Sequence, residues 1–248
     1  MIVLKSKREI EIIRTNGRIV AQTLKIIGEN IKPGIKTKEL DRLAKEFLKQ
    51  SQAQPAFFGY RGFPANICVS INEEVVHGIP KERELKEGDI VSVDIGVLKN
   101  GYYADAAYTF AVGEISDEAL KLIEVTRNSL SKGIEVCKAG ANLFDISYVI
   151  QSHVEQNGFQ VVRELVGHGI GQNMHEEPQI PNYGNKSEGP ILEEGMVLAI
   201  EPMVNQKTSE VKTKEDQWTV VTADGCLSAH FEHTVALTAN GTEILTIL

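Results

Sequence analysis

Residues 85–94 read LKEGDIVSVD, and residues 192–201 read LEEGMVLAIE, the same pattern 107 positions later. Towards the N-terminus, IKPGIKTKEL at 31–40 is matched by CKAGANLFDI at 137–146, an offset of 106. Two matches that share nearly one offset identify an internal repeat. Towards the C-terminus, about twenty extra residues at 203–220 precede a further echo, ADAAYTFAVG at 104–113 against FEHTVALTANG at 231–241. Each copy opens with helical signals. Ser6 and Glu9 form a capping box before a helix expected to run to about Gly28, and Thr37 is the expected N-cap of a second, with Leu40, Leu43, Ala44 and Phe47 at helical spacing. Ser116 or Asp117 starts a third helix, and Asn142 a fourth that ends at Gly158. The period then changes to two in ICVSIN, DIVSVDIG and YYADAAYTFAV of the first copy, and in MVLAIEP, QWTVVT, EHTVALT and EILTIL of the second. Asn100-Gly101 is a hairpin turn signal. The expected fold is α+β: a mostly antiparallel sheet backed by four helices, in one domain over 1–248 with related halves at about 1–112 and 113–248.

The composition narrows the function classes. With 42% hydrophobic and 24% charged residues among 248, the chain has globular proportions. Its 26 Lys+Arg against 34 Asp+Glu leave a net charge of -8, which argues against nucleic acid or an anionic membrane as main partner. Cys68, Cys137 and Cys226 are far apart and form no CxxC pair, so neither a disulfide framework nor a cysteine zinc site is supported. Residues 1–17, MIVLKSKREIEIIRTNG, lack the apolar run and cleavage site of a signal peptide, and no stretch reaches 18 apolar residues. A reduced, cytoplasmic, soluble protein is expected.

The repeat superimposes acids. Its offset places Asp94 on Glu201, and the later echo places Asp105 on Glu232. A two-residue loop at Asn100-Gly101 pairs Lys99 with Tyr102, so Gly96 faces Asp105 and Asp94 lies diagonal to it on the same face. Such neighbours sit roughly 7–8 Å apart at Cα, close enough for both carboxylates to reach one ion or a pair. An acid on a strand ordinarily faces water. Here Asp94 follows Ile90-Val91-Ser92-Val93 and Glu201 follows Val197-Leu198-Ala199-Ile200, runs buried on at least one face. Buried like charges need a partner or a metal.

The six histidines decide the metal class. His153, beside Gln151, Ser152 and Glu155, is expected at the surface. His77 in VVHGIP and His168 in VGHGIG have flanking glycines that leave room for a substrate, and His175 opens HEEPQIPNY. His230 could share the face of Glu232 by alternation and support the ligands from behind, whereas His233 should point away; for both, a structural role is the commoner one. One histidine among four acids makes a mixed nitrogen and oxygen site suited to Mn, Fe, Co or Zn. Two such ions sharing bridging carboxylates form a recognised hydrolytic arrangement.

The ordered set Asp94, Asp105, His168, Glu201 and Glu232, with His77 and His175 beside it, resembles the type I methionine aminopeptidases. The likeness runs from about residue 4 to the end, through NEEVVHGIP, GDIVSVDIG, GHGIG, HEEPQIPNYG, AIEP and FEHT. It implies the pita-bread fold of two pseudo-symmetric halves and two divalent metal ions. Asp94 would hold one ion, His168 with Glu201 the other, and Asp105 with Glu232 would bridge. Glu201 would also act as general base and acid, while His77 and His175 hold the scissile amide. The methionine pocket would be Phe57, Tyr60, Phe63, Cys68, Met174 and Trp218, an apolar cup suited to a thioether. Phe57, Arg61 and Met174 stand where the type I pattern has Cys, His and Phe. The resemblance also implies a monovalent cation (Na or K) held by loop carbonyls around Asn72, Glu74 and Ser228. The partners it implies are the N-terminal methionines of nascent polypeptides whose second residue is small and uncharged, met by a monomer with transient ribosome contact.

Two rivals remain on the sequence. Xaa-Pro aminopeptidases and prolidases share the fold and metal set but usually carry an additional N-terminal domain. A metal-free binding module of the same fold would be expected to have lost ligands, and none is missing here.

Overall fold

A computed structural model of the chain describes residues 1–247. Among the described residues there are four α-helices: α1 (Lys7–Asn30), α2 (Thr37–Gln50), α3 (Asp117–Val136) and α4 (Leu143–Gln156). The capping box of α1 forms as expected, with the Ser6 N–H donating to Glu9 Oε2 at 2.7 Å and the Glu9 N–H to Ser6 Oγ at 3.4 Å. Ser116 caps α3, accepting from the Ala119 N–H at 3.2 Å. The start of α2 differs from expectation. Lys36 occupies the N-cap, and Thr37 is the first helical residue. Its hydroxyl is engaged elsewhere, donating to Lys81 O and accepting from Lys81 N, both at 2.9 Å, so it pins a distant loop instead.

The long hairpin is the frame of the first half. Strands Ile90–Lys99 and Tyr102–Ala111 pair antiparallel, with Gly96 opposite Asp105 as the loop length requires. Asn100 and Gly101 both have positive φ, 54° and 77°, which is the conformation that favours Asn-Gly in such turns. In the second half, strand Val197–Ile200 lies between His233–Thr238 and Gly167–Gly169. Every strand pair among the described residues is antiparallel. They divide into four sheets of four, three, three and five strands rather than the one sheet expected. Pro202 is one reason: with no N–H to donate, it stands where the chain leaves the five-stranded ladder for the one containing Met203–Asn205.

Two apolar cores lie beneath the two helix pairs, the first also taking in Ile170, Val197, Ala236 and Leu245 and the second Ile90. Ile13, Val20 and Leu40 pack with Val91, Val93 and Ile95, whereas Leu122, Ile146 and Ile150 pack with Leu198, Ile200 and Val235. A fully buried side chain of this kind contributes roughly 1.5–3 kcal/mol, so each core is a substantial share of what holds its helices down.

The halves repeat in their hydrogen bonds, not only in their order. Gly34 N donates to Leu85 O and Gly140 N to Leu192 O, both at 2.8 Å, at the offsets read from the sequence. The bridge Lys36–Glu84 recurs as Asn142–Ile191. The last echo needs correction. Val112 N donates to Asp89 O at 2.9 Å and Leu237 N to Met196 O at 2.9 Å, an offset of 125 rather than the 127 that aligned Asp105 with Glu232. Asp105 is therefore equivalent to His230, and Glu232 to Ala107. Backbone partners set this register, whereas the sequence echo was drawn to the similarity of Asp and Glu. The pseudo-twofold axis passes between Ala107 and Glu232, whose main chains exchange hydrogen bonds of 2.9 and 3.4 Å and join the two large sheets.

Candidate metal centre and substrate cleft

The cleft lies where the halves meet. Asp94 and Asp105 come from the long hairpin, His168 from strand Gly167–Gly169, and Glu201 and Glu232 from the residues that end or precede strands of the second half. Ligand atoms of Asp105, His168 and Glu232 all lie within 4.8 Å of one another. His168 Nε2 stands 3.6 Å from Asp105 Oδ2 and 3.5 Å from Glu201 Oε1. His168 Nδ1 lies 2.9 Å from Gly169 O. A carbonyl can only accept, so Nδ1 carries the proton and the bare Nε2 lone pair faces the acids. That is the tautomer a metal-binding histidine needs.

The donors fit divalent cations. Asp94 Oδ1 is buried and has no hydrogen-bond partner among the described residues. Burial, and then the charge of Asp105, holds the Asp94 carboxyl well above the usual range. Burial followed by the neighbouring acids does the same to Glu201 and Glu232. Asp105 is pushed up by burial to about 6, although a hydrogen bond from Thr234 pulls the other way. Burial pushes His168 down to about 4, so it stays neutral and competes little for protons. The sign for metal binding follows: acids that hold protons at mildly acidic pH must release them to a cation. Affinity for Mn or Co is expected to rise as pH climbs through about 6, with proton release on binding. Calorimetric titrations between about pH 5.5 and 7.5, in buffers of differing ionisation enthalpy, check it. A flat affinity with no proton release would contradict it.

All the residues anticipated for substrate binding line the same cleft. Phe63 meets Trp218 edge-on at 5.2 Å between ring centres and Phe57 at 6.5 Å. Cys68 pairs in register with Asp94, which puts its sulfur beside the acids, and burial and those acids keep it a thiol. Gly96 explains how Phe57 and Met174 fit: a Cβ there would lie 2.9 Å from Phe57 Cε1 and 3.1 Å from Met174 Cε. The bare backbone opposite Asp105 is what admits both side chains to the wall.

His175 and His77 flank the centre. The His175 ring lies 4.3 Å from that of His168, and its Nδ1 is 2.8 Å from the Tyr60 hydroxyl. Burial and then the nearest histidine depress both to about 4, so both are neutral near pH 7. His77 sits at φ 60°, a left-handed conformation costly for a non-glycine residue. Sequence reading did not anticipate two features. Thr234 Oγ1 shares its one proton between Asp105 Oδ1 at 2.9 Å and the Asp105 carbonyl at 2.8 Å, and Tyr60 is bonded to His175. Arg61, which the departure from the type I pattern had already placed at the pocket, lines the cleft mouth. The threonine stood in FEHT beside Glu232, a signal that was present. His233 points away as expected, its Nδ1 2.9 Å from Thr246 Oγ1. His153 lies at the surface as expected, partly exposed, although its Nε2 is enclosed.

The model of Metallopeptidase family M24 matches residues 11–239. The chain belongs to metallopeptidase family M24. Within this family it is 58% identical over 248 residues to the methionine aminopeptidase of Clostridium acetobutylicum, covering 100% of this chain and 99% of that one. The crystal structure of the Thermotoga maritima methionine aminopeptidase superposes with a TM-score of 0.99 at 48% identity, over 100% of both chains. The prolidase of Pyrococcus furiosus shares the fold at a TM-score of 0.81 and 24% identity, over 99% of this chain but 66% of that one. The M24 pita-bread architecture of two pseudo-symmetric halves is thus shared with both.

Proposed function

We propose that this M24 chain is a dinuclear-metal aminopeptidase that removes the N-terminal methionine of nascent polypeptides when the second residue is small and uncharged. The observation that carries this reading is the juxtaposition, in one cleft, of converging acids and His168 with the aromatic and sulfur cup of Phe63, Cys68 and Trp218. Asp94 would hold one ion, His168 with Glu201 the second, and Asp105 and Glu232 both. Co, Mn, Fe or Zn would suit this donor set. Such ions, when bound, polarise the scissile carbonyl and make water a nucleophile at neutral pH.

The protein supplies position and proton transfer. The methionine side chain fills the cup, and its free α-amino group lies at the acidic end, which confines cleavage to the first peptide bond. With Tyr60 donating to Nδ1, neutral His175 carries its proton on Nε2 and donates to the oxygen that gains charge. His77 holds the same amide from the other side. Glu201 takes a proton from the attacking water and passes it to the leaving nitrogen as the C–N bond breaks, releasing methionine and the shortened peptide. A monovalent cation would sit on main-chain oxygens where Ser228 N meets Asn72 O at 2.9 Å. No helix among the described residues is long and apolar enough to cross a membrane. The encounter with nascent chains would take place in the cytoplasm.

A peptide panel read by mass spectrometry tests specificity. Met-Ala-Ser and Met-Gly-Met-Met should lose their first residue, and peptides with Lys, Leu or Phe second should be cut poorly. The cup has no charged side chain for a polar first residue, and the rim at His77 and His175 leaves little room for a long second one. Faster cleavage of Ala-Pro or Leu-Pro peptides than of Met-Ala would replace this reading with a prolidase-like one.

A further inference from the structure

The pseudo-twofold axis gives Asp105 a counterpart that no sequence match revealed. Thr234 of the second half spans Asp105, donating from Oγ1 to its carbonyl at 2.8 Å and accepting from its N–H at 3.1 Å. Thr109 of the first half spans His230 in the same way, donating to its carbonyl at 2.8 Å and accepting from its N–H at 2.9 Å. Each threonine thus straps the other half's residue at the seam. In the first half the diagonal pair across the hairpin is Asp94 and Asp105, and in the second it is Glu201 and His230.

His230 is 2% exposed and does not line the cleft. Its Nε2 is buried without a hydrogen-bond partner among the described residues and stands 3.8 Å from Glu201 Oε2. The other oxygen of that carboxylate, Oε1, is the one that approaches His168. A movement of less than about 1 Å brings Nε2 and Oε2 to hydrogen-bond distance, and a buried ring nitrogen strongly favours finding such a partner.

We propose that His230 is a positioning residue for Glu201, its imidazole donating from Nε2 to Glu201 Oε2 and fixing the orientation in which that carboxylate binds and transfers protons. The inference rests on the role given to Glu201 above. Outer partners of this type change metal affinity or activity by roughly 10–100-fold when removed. His230→Leu, which fills the space without a donor, should lower kcat by about that factor with little change in KM, and should weaken Mn binding to the metal-free chain in calorimetry. His230→Gln, whose amide can donate, should recover most of both.

The steady-state assay uses the Mn-loaded protein with Met-Ala-Ser, and the calorimetric titration uses the metal-free protein. Equal loss in the leucine and glutamine variants would overturn the positioning role and leave only packing. Unchanged kcat and Mn affinity in His230→Leu would also overturn it, as would loss of a whole metal equivalent in both variants, which would make His230 a ligand. If the unaltered chain released no methionine with any divalent metal, the aminopeptidase reading itself would fail and this role with it. An active parent with indistinguishable variants would sink this inference alone.

Discussion

Asp105→Ala or Glu232→Ala will abolish peptide cleavage and weaken metal binding far more than His175→Ala. Both acids are buried at the seam where the halves meet, Asp105 within 4.8 Å of the His168 and Glu232 ligand atoms. In the proposed centre each serves both ions, so either alanine removes a shared donor and leaves the remaining acids without full compensation. The loss of affinity should exceed the roughly 10–100-fold typical of an outer supporting partner. His175 is placed differently: its Nδ1 is taken by Tyr60, and its ring stands beside His168 on the substrate side. Calorimetric titration of the three metal-free variants with Mn or Co separates the cases. Unchanged binding in both acid variants would remove the metal-site assignment.

His77→Ala should keep its metal and lose turnover by a factor on the order of 10²–10⁴, the range of a positioned acid–base group. The chain maintains His77 at φ 60° next to Gly78, where a Cβ would come within 2.1 Å of Val69 O. This local geometry aims the ring into the cleft and has no other evident use, since His77 makes no side-chain hydrogen bond among the described residues. Its depression to about 4, caused first by burial and then by His175, leaves a neutral ring that does not repel bound cations. Metal content by atomic spectroscopy alongside kcat is the measurement. A fall in metal content in step with rate would make His77 a ligand.

Local chemistry made much of this legible in the sequence. Asn100-Gly101 fixed a hairpin whose register then placed Asp94 diagonal to Asp105, and Ser6 with Glu9 marked the first helix. The repeat offset survived in paired backbone bonds at Gly34 and Gly140. What stayed hidden depends on partners far apart in the chain. Thr37 is a plausible N-cap until Lys81 engages its hydroxyl. The equivalence of Asp105 with His230 is invisible because unlike side chains occupy like backbone positions, and only Thr109 and Thr234 reveal it. The bond between Tyr60 and His175 joins residues whose separation in sequence gives no periodicity to read.

The most direct test of a metal-dependent centre serving methionine release is a single titration. Metal-free chain at about pH 7.5, where the raised acids can yield their protons, is mixed with increasing Mn under exclusion of air. Bound metal per chain and methionine released from Met-Ala-Ser are followed together. Expected is no release in chelator, and a rate that grows only as metal binds, with binding complete by two ions per chain. Full activity in chelator, or no stoichiometric metal bound at all, would contradict the centre built from Asp94, Asp105, His168, Glu201 and Glu232.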